Sequence, residues 1–350
     1  MNYNRTDVAL GQSRIQKDMD YSDIMVSELQ TGWSISYQQE DSNFVADKWF
    51  PMISVSQIAG YYPKWSKKNA FTNAAGTWRP GSLPPAADLG IDDPGFFACI
   101  RYAFQTQLLA DLPFVASPVY NLKMATTRFV SDVLRLNKEL IIKDKFFKTG
   151  VWDIDVTGVN SGETWTSGDI GDGDTFRRLD DSDSDPLGLF MQAKLAIKEK
   201  IGVMPNTLIL GEKVYEALRI NEQLVSLYRN PQGADKVPTK LNEERIAEAL
   251  DVNKIIVARA MYNTTPASGT CTLDWVFGNG MWYGYTDSPG EMKTVAGMNL
   301  SFDEPLGGFN TAFEVVPDLL AKTEWYRGFQ CFVPVVMASD AGMFFDQVIA

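Results

Sequence analysis

Apolar residues keep a helical spacing for longest between Ser117 and Gly150. Leu122, Phe129, Val133, Leu136, Leu140 and Phe147 fall three or four apart, which places them on one face of a helix. Val130, Leu134 and Ile141 widen that face with a second line. Ser117 can cap the start and Pro118 suits the first helical position, where the missing N–H costs nothing. Gly150 ends the pattern, and Lys143, Lys145 and Lys148 sit near the negative end of the helix dipole. A helix over 118–149 would be about 45 Å long and needs something extended to lie against. The options are a sheet of its own chain, a membrane or a neighbouring copy.

The pattern elsewhere is shorter in range. Residues 1–45 are polar and mixed, with weak helical spacing around Ile24 to Leu29, and read as an arm that gains order by lying on something else, with disorder the equal alternative for the first dozen residues. Phe50 to Val55 reads as a strand entry. It leads into YYPKWSKKNAFTNAAGTWRPGSLPPAADLG, rich in Gly, Pro, Ser and aromatics. Tyr61, Tyr62, Trp65, Phe71 and Trp78 are too many aromatics for so short a segment to bury by itself. A two-stranded projecting hairpin is expected, with aromatics that pack on another subunit. Asp185 and Pro186 open a second helix that Gly202 closes. A strand at Asn206–Gly211 follows, then helices at Glu212–Ile220, Glu222–Tyr228 and Leu241–Leu250, and a strand at Lys254–Ala260. Leu273–Phe277 and Met281–Thr286 read as strands hinged by Gly278-Asn279-Gly280. Alternation through EWYRGFQCFVPVVMAS predicts long C-terminal strands.

Composition narrows the function. The 350 residues allow one large or two ordinary domains, and 45% hydrophobic content is ample for a core. The net charge of -12 makes a tight nucleic-acid binder a poor reading, because that affinity comes from Lys and Arg on phosphates. The chain has no histidine, which removes the commonest general base, the Ser-His and Cys-His pairs and most zinc sites. Cys99, Cys271 and Cys331 are far apart and form no CxxC, and read as reduced, mostly buried residues of a cytosolic protein. Neither a signal peptide nor a membrane-length apolar run is visible. Arg128, Asp132, Arg135, Lys138, Glu139 and Asp144 take the long helix out of a bilayer.

Sites for chemistry are scarce. Asp169, Asp172, Asp174, Asp180, Asp181, Asp183 and Asp185 invite a calcium reading, but their spacing fails the EF-hand pattern and a solvated loop is expected. Phosphate-loop, dinucleotide, nucleophile-elbow and zinc-protease motifs are absent. No catalytic, cofactor-binding or metal-ligating residue is therefore assigned. Lys64, Lys67 and Lys68 are expected to be solvated or ion-paired rather than linked covalently to another subunit.

Several words along the chain, in order, carry a resemblance: ATTRFVSDVL (Ala125–Leu134), FFKTGVWD (Phe146–Asp153), MPNTLILGEKVYEAL (Met204–Leu218), VARAMYNTT (Val257–Thr265), VFGNGMWYGY (Val276–Tyr285) and DAGMFF (Asp340–Phe345). Together the sequence resembles the major capsid proteins of tailed bacteriophages with the Hong Kong 97-type coat fold. The resemblance implies an α+β fold with an N-terminal arm (1–45), an extended-loop region (46–101), a peripheral domain (102–185) with the spine helix 118–149, an axial α/β domain (186–325) and C-terminal strands of the peripheral domain (326–350). It implies a structural protein, not an enzyme, without cofactor. Its copies would form pentamers and hexamers in an icosahedral head shell around double-stranded DNA, touched non-specifically. Portal, scaffold and cement proteins are the implied partners, with no membrane, and the shell would assemble in the host cytoplasm and end in the virion. Tyr61, Tyr62, Trp65 and Trp78 are the candidate inter-subunit contacts, since buried aromatics dominate interface energy. Trp65→Ala is expected to weaken shell closure more than the subunit's own fold. An encapsulin-type nanocompartment shares the fold, and a soluble α/β enzyme working with carboxylates alone is the alternative of another class.

Overall fold

A helix that starts and stops on its own local signals anchors the middle of the chain. Asp185 accepts a hydrogen bond from Gly188 N at 2.9 Å, Pro186 takes the first turn, and Gly202 closes the far end in a left-handed conformation (φ 75°). Asp185→Ala is expected to cost about 1 kcal/mol, because the amide it caps has no other acceptor in the helix. A urea titration of the variant checks it, and an unchanged midpoint would contradict the capping role.

The structure is a computed structural model. It describes residues 39–87, 90–109, 122–160, 170–228, 240–265, 269–287, 294–302 and 311–350. The arm expected over 1–45 lies outside these residues up to 38, as do the expected caps Ser117 and Pro118. The described chain opens with a 3-10 turn (Asp41–Asn43), then helix α1 (Ala46–Trp49), strands β1 (Met52–Ser54) and β2 (Ala59–Trp65), helix α2 (Lys67–Phe71), and strands β3 (Ile91–Ala98) and β4 (Ile100–Leu109). The long helix α3 (Leu122–Phe146) follows, then β5 (Asp155–Val159) and β6 (Thr175–Arg177). Next come α4 (Pro186–Ile201), β7 (Thr207–Gly211), α5 (Glu212–Ile220), α6 (Glu222–Leu227), α7 (Glu243–Leu250) and β8 (Lys254–Ala258). Strands β9 (Met261–Asn263), β10 (Leu273–Trp275), β11 (Met281–Gly284), β12 (Gly297–Ser301), β13 (Ala312–Asp318), β14 (Thr323–Val336) and β15 (Gly342–Asp346) complete the order. Helices and strands are thus mixed along the chain, as an α+β class requires.

Two compact units divide these elements. The first takes Ala103–Leu134 and Ala312–Phe329, the second Gln39–Tyr102, Arg135–Thr311 and Gln330–Ala350. In the first, β13 pairs antiparallel with the start of β14, from Ala312 against Phe329 to Asp318 against Thr323. Val130 and Leu134 of α3 are buried against Tyr326, with Phe104 and Leu108 packed beside them. Gly328 permits this approach: an added Cβ would lie 2.5 Å from Leu134 Cδ1 and 2.8 Å from Val130 Cγ1. Lys123 pairs with Glu324 at 2.8 Å, and burial together with that carboxylate pushes the Tyr326 phenol up to about 12.

The second unit is built on a six-stranded sheet in the order β6-β5-β15-β11-β7-β8. All five residues of β7 and all four of β11 are buried, so both sheet faces are covered. Beneath α3, Trp49, Phe50, Phe146, Trp152 and Trp282 form one aromatic cluster, with Phe50 and Phe146 rings 4.6 Å apart. The tight-turn hairpin expected at Gly278-Asn279-Gly280 does not form. Strand β10 pairs with β9, whereas β11 pairs with β7 and β15. The glycines there serve close backbone approach: a Cβ on Gly280 would lie 3.0 Å from Phe147 and Phe344, and one on Gly211 2.5 Å from Gly278 O.

The acidic stretch expected to be a plain loop, whose Asp169 lies outside the described residues, holds β6, which pairs in parallel with β5. Its carboxylates engage the chain itself. Asp172 accepts from Asp155 N at 3.0 Å, Asp174 from Gly171 N at 2.8 Å, and Asp181 pairs with Arg177 at 2.8 Å.

Candidate assembly surface

Strands β2 and β3 pair antiparallel from Ala59 against Ala98 to Trp65 against Ile91, with an irregularity between Tyr62 and Lys64. The aromatic segment is therefore a two-stranded hairpin. A strand turns successive side chains to opposite faces, and here the two faces have different fates. Tyr62 and Phe97 pack against the buried group Cys99, Leu300, Cys331 and Val335. Burial pushes the Tyr62 phenol up from its ordinary value. Gly95 makes room for that ring, since a Cβ there would lie 2.0 Å from Tyr62 Cζ. Tyr61 and Phe96, directly paired across the strands, face outward with rings 5.3 Å apart and are 73% and 58% exposed.

The connection between the strands is polar and open. Residues 67–87 are exposed throughout. Trp78 is 54% exposed, and its indole Nε1 donates to Ser82 O at 2.6 Å. Phe71 lies over the end of α4, 2.9 Å from where a Cβ on Gly202 would sit. Lys67 pairs with Asp340 at 2.7 Å and Lys64 lies over the Tyr62 ring, which accounts for two of the three loop lysines. Of the four aromatics singled out in the sequence, Tyr61 and Trp78 face solvent, Tyr62 packs inward and Trp65 pairs with Ile91 at the end of β2. Phe96 completes the outward pair. Nothing in the adjacent Phe96-Phe97 separates the outward ring from the inward one until the strands pair.

A second set of contacts fixes the segment from Gln39 to Asp47. Gln39 exchanges hydrogen bonds with Met261, 2.6 Å to its carbonyl and 2.9 Å from its amide. Val45 precedes α1 and has no side-chain oxygen to cap it. Glu139 of α3 supplies the cap instead, accepting from Val45 N at 2.9 and 3.2 Å and from Ala46 N at 2.8 Å. Its neighbours Lys138 and Arg135 pair with Asp47 and Asp41. Asn299 Nδ2 donates to Ala46 O and Phe50 O at 3.4 and 3.3 Å.

Chemistry is sparse. Among the described residues no group of three or more His, Cys, Asp or Glu is placed to hold a metal ion. Among them, too, no helix is long and apolar enough to cross a membrane. Cys99 and Cys331 are buried, and Cys271 is exposed.

No family model matches the sequence. A major capsid protein of Burkholderia phage BcepMu is 21% identical over 242 residues, 68% of this chain and 70% of that one. A phage-related protein from Bordetella bronchiseptica RB50 superposes with a TM-score of 0.64 at 21% identity, covering 89% of this chain and 93% of the other. The capsid of cyanophage P-SCSP1u does so with a TM-score of 0.56 at 8% identity, covering 93% of each. The chain has the Hong Kong 97-type coat fold of tailed-phage major capsid proteins, the fold its sequence words imply.

Proposed function

We propose that this chain is the major capsid protein of a tailed bacteriophage, whose copies close into an icosahedral shell around double-stranded DNA. The observation that carries the reading is the hairpin face of Tyr61 and Phe96, left in water on a chain with a capsid fold. An exposed aromatic pair on a rigid hairpin suits burial against a second copy. Residues 46–101 then form the loop that laps over a neighbour, residues 1–45 the arm, and residues 186–325 the part that meets its copies around five-fold and six-fold axes. Residues 102–185 and 326–350 supply the peripheral domain. Each contact can be modest, because closure multiplies many of them. The protein is structural and has no catalytic task. Portal, scaffold and cement proteins meet this shell, which assembles in the host cytoplasm. The net charge of -12 lets packed DNA slide on the inner wall and leave.

Negative-stain microscopy of the purified chain, alongside size-exclusion chromatography, tests the reading. Closed shells, empty or filled with DNA, are expected. Shells filled with protein cargo would favour a nanocompartment, and a small monodisperse particle would end the assembly reading.

A further inference from the structure

Glu139 is fully buried, yet it is the acceptor for three hydrogen bonds from the segment that follows Gln39. The donors lie more than ninety residues away along the chain. The same helical turn carries Arg135 and Lys138, which pair with Asp41 and Asp47 on either side of the capped amides. One turn of α3 therefore holds the whole stretch from Asp41 to Asp47. We propose that Glu139 is a proton-controlled latch, which holds the segment Asp41–Asp47 on α3 when protonated and loosens it when ionised. The inference rests on the geometry of one chain and stands or falls independently of the capsid reading.

The physical basis is desolvation. Burial pushes the Glu139 carboxyl from 4.5 up to about 7, against the opposing pull of the Val45 and Ala46 amides. Asp47 adds to the rise, and Lys138 acts against it. The charges around the latch are Lys138 and Arg135 on its own helix, Asp41, Asp47 and Lys48 on the segment, and Lys254, whose Nζ donates to Lys48 O at 2.8 Å. Phe332 lies against the Lys138 ammonium at 5.6 Å and contributes no charge. A raised folded value means that the closed state binds the proton more tightly than the open one. The stabilisation is therefore complete below about pH 4.5 and is lost as pH rises through about 7.

Amide hydrogen exchange of Val45 and Ala46 in the full chain, corrected for intrinsic rates, reads the latch, with the β7 amides of Leu208–Leu210 as the reference for global opening. Relative to those amides, protection at Val45 and Ala46 is expected to fall roughly fiftyfold between pH 5 and pH 8. Glu139→Gln cannot ionise and keeps one of the two acceptor oxygens, so protection should be lower throughout and its pH dependence should flatten to less than about threefold. Asp47→Asn removes a like charge and should move the transition to lower pH, a displacement that a merely structural role would not produce. The proposal is overturned if wild-type protection is level across that range, if Glu139→Gln keeps the wild-type slope, or if Asp47→Asn leaves the midpoint in place.

Discussion

Trp282→Ala should lose about 3–5 kcal/mol of stability, the range for deleting a large aromatic from a core that relaxes only in part. Trp282 has no exposed surface, and its ring lies 5.3–5.4 Å from those of Trp152, Trp49 and Phe50. It also occupies the space above two glycines, 2.5 Å from where a Cβ on Gly284 would sit and 2.7 Å from one on Gly342. Strand β11 brings it to the middle of the six-stranded sheet, so the hole would open where β11 meets β15 and the end of α3. Against a total of about 5–15 kcal/mol for a typical domain, the loss is large. The melting midpoint should fall by about 10 °C, followed by far-UV circular dichroism. Trp282→Phe should lose much less, since it keeps a ring and deletes a buried indole N–H with no hydrogen-bond partner among the described residues. Trp78→Ala, at a half-exposed tip, should change stability by less than about 0.5 kcal/mol. A wild-type midpoint for Trp282→Ala would show that the cluster does not hold sheet and helix together.

The parts of this fold legible in the sequence are those with their own punctuation. Helix α4 begins and ends where Asp185, Pro186 and Gly202 place it, and β7, α5 and α6 fall where expected, within a residue. The long helix was legible as an element and its face in part, since Val130, Leu134 and Phe147 are buried as expected, while the main line of contact was not. The line that packs is Val130, Leu134, Lys138, Ile142 and Phe146, four residues apart, whereas Phe129 is exposed. Lys138 hides that line. Its stem is buried while its ammonium pairs with Asp47, so a count of apolar residues breaks in the middle of the stripe. The glycines at 278–280 misled for a related reason, since a close backbone approach and a tight turn demand the same residue. Strand β4 alternates with period two, although no strand was expected there. Glu139 could not have been found, because a glutamate on a charged helix reads as solvated until its partners from residues 45 and 46 are in place. The hairpin aromatics were legible as an excess, and only strand pairing separates Tyr61, which faces out, from Tyr62, which faces in.

That separation allows folding and assembly to be tested independently. Tyr61→Ser with Phe96→Ser removes the outward pair and leaves Gly60, Tyr62, Phe97 and Cys99 on the inward side. The hairpin and both units should keep their wild-type melting midpoint, because the two rings touch each other and solvent rather than the core. Assembly should not survive so well. If a neighbouring copy covers these rings, each aromatic buries on the order of 100 Å² at about 25 cal/mol per Å², or roughly 2–3 kcal/mol per ring before the ordering of the partner is subtracted. A net loss of about 3 kcal/mol per copy is a factor of about a hundred in a contact's equilibrium constant. The concentration at which shells appear should therefore rise at least tenfold, read by light scattering against protein concentration. Tyr62→Ser is the contrasting variant: it removes the inward ring, so the hairpin loosens and stability falls together with assembly. If the outward double variant closes shells at the wild-type concentration, the Tyr61–Phe96 face does not meet a neighbour. If it melts early instead, those rings stabilise their own subunit and the two faces of the hairpin are not independent.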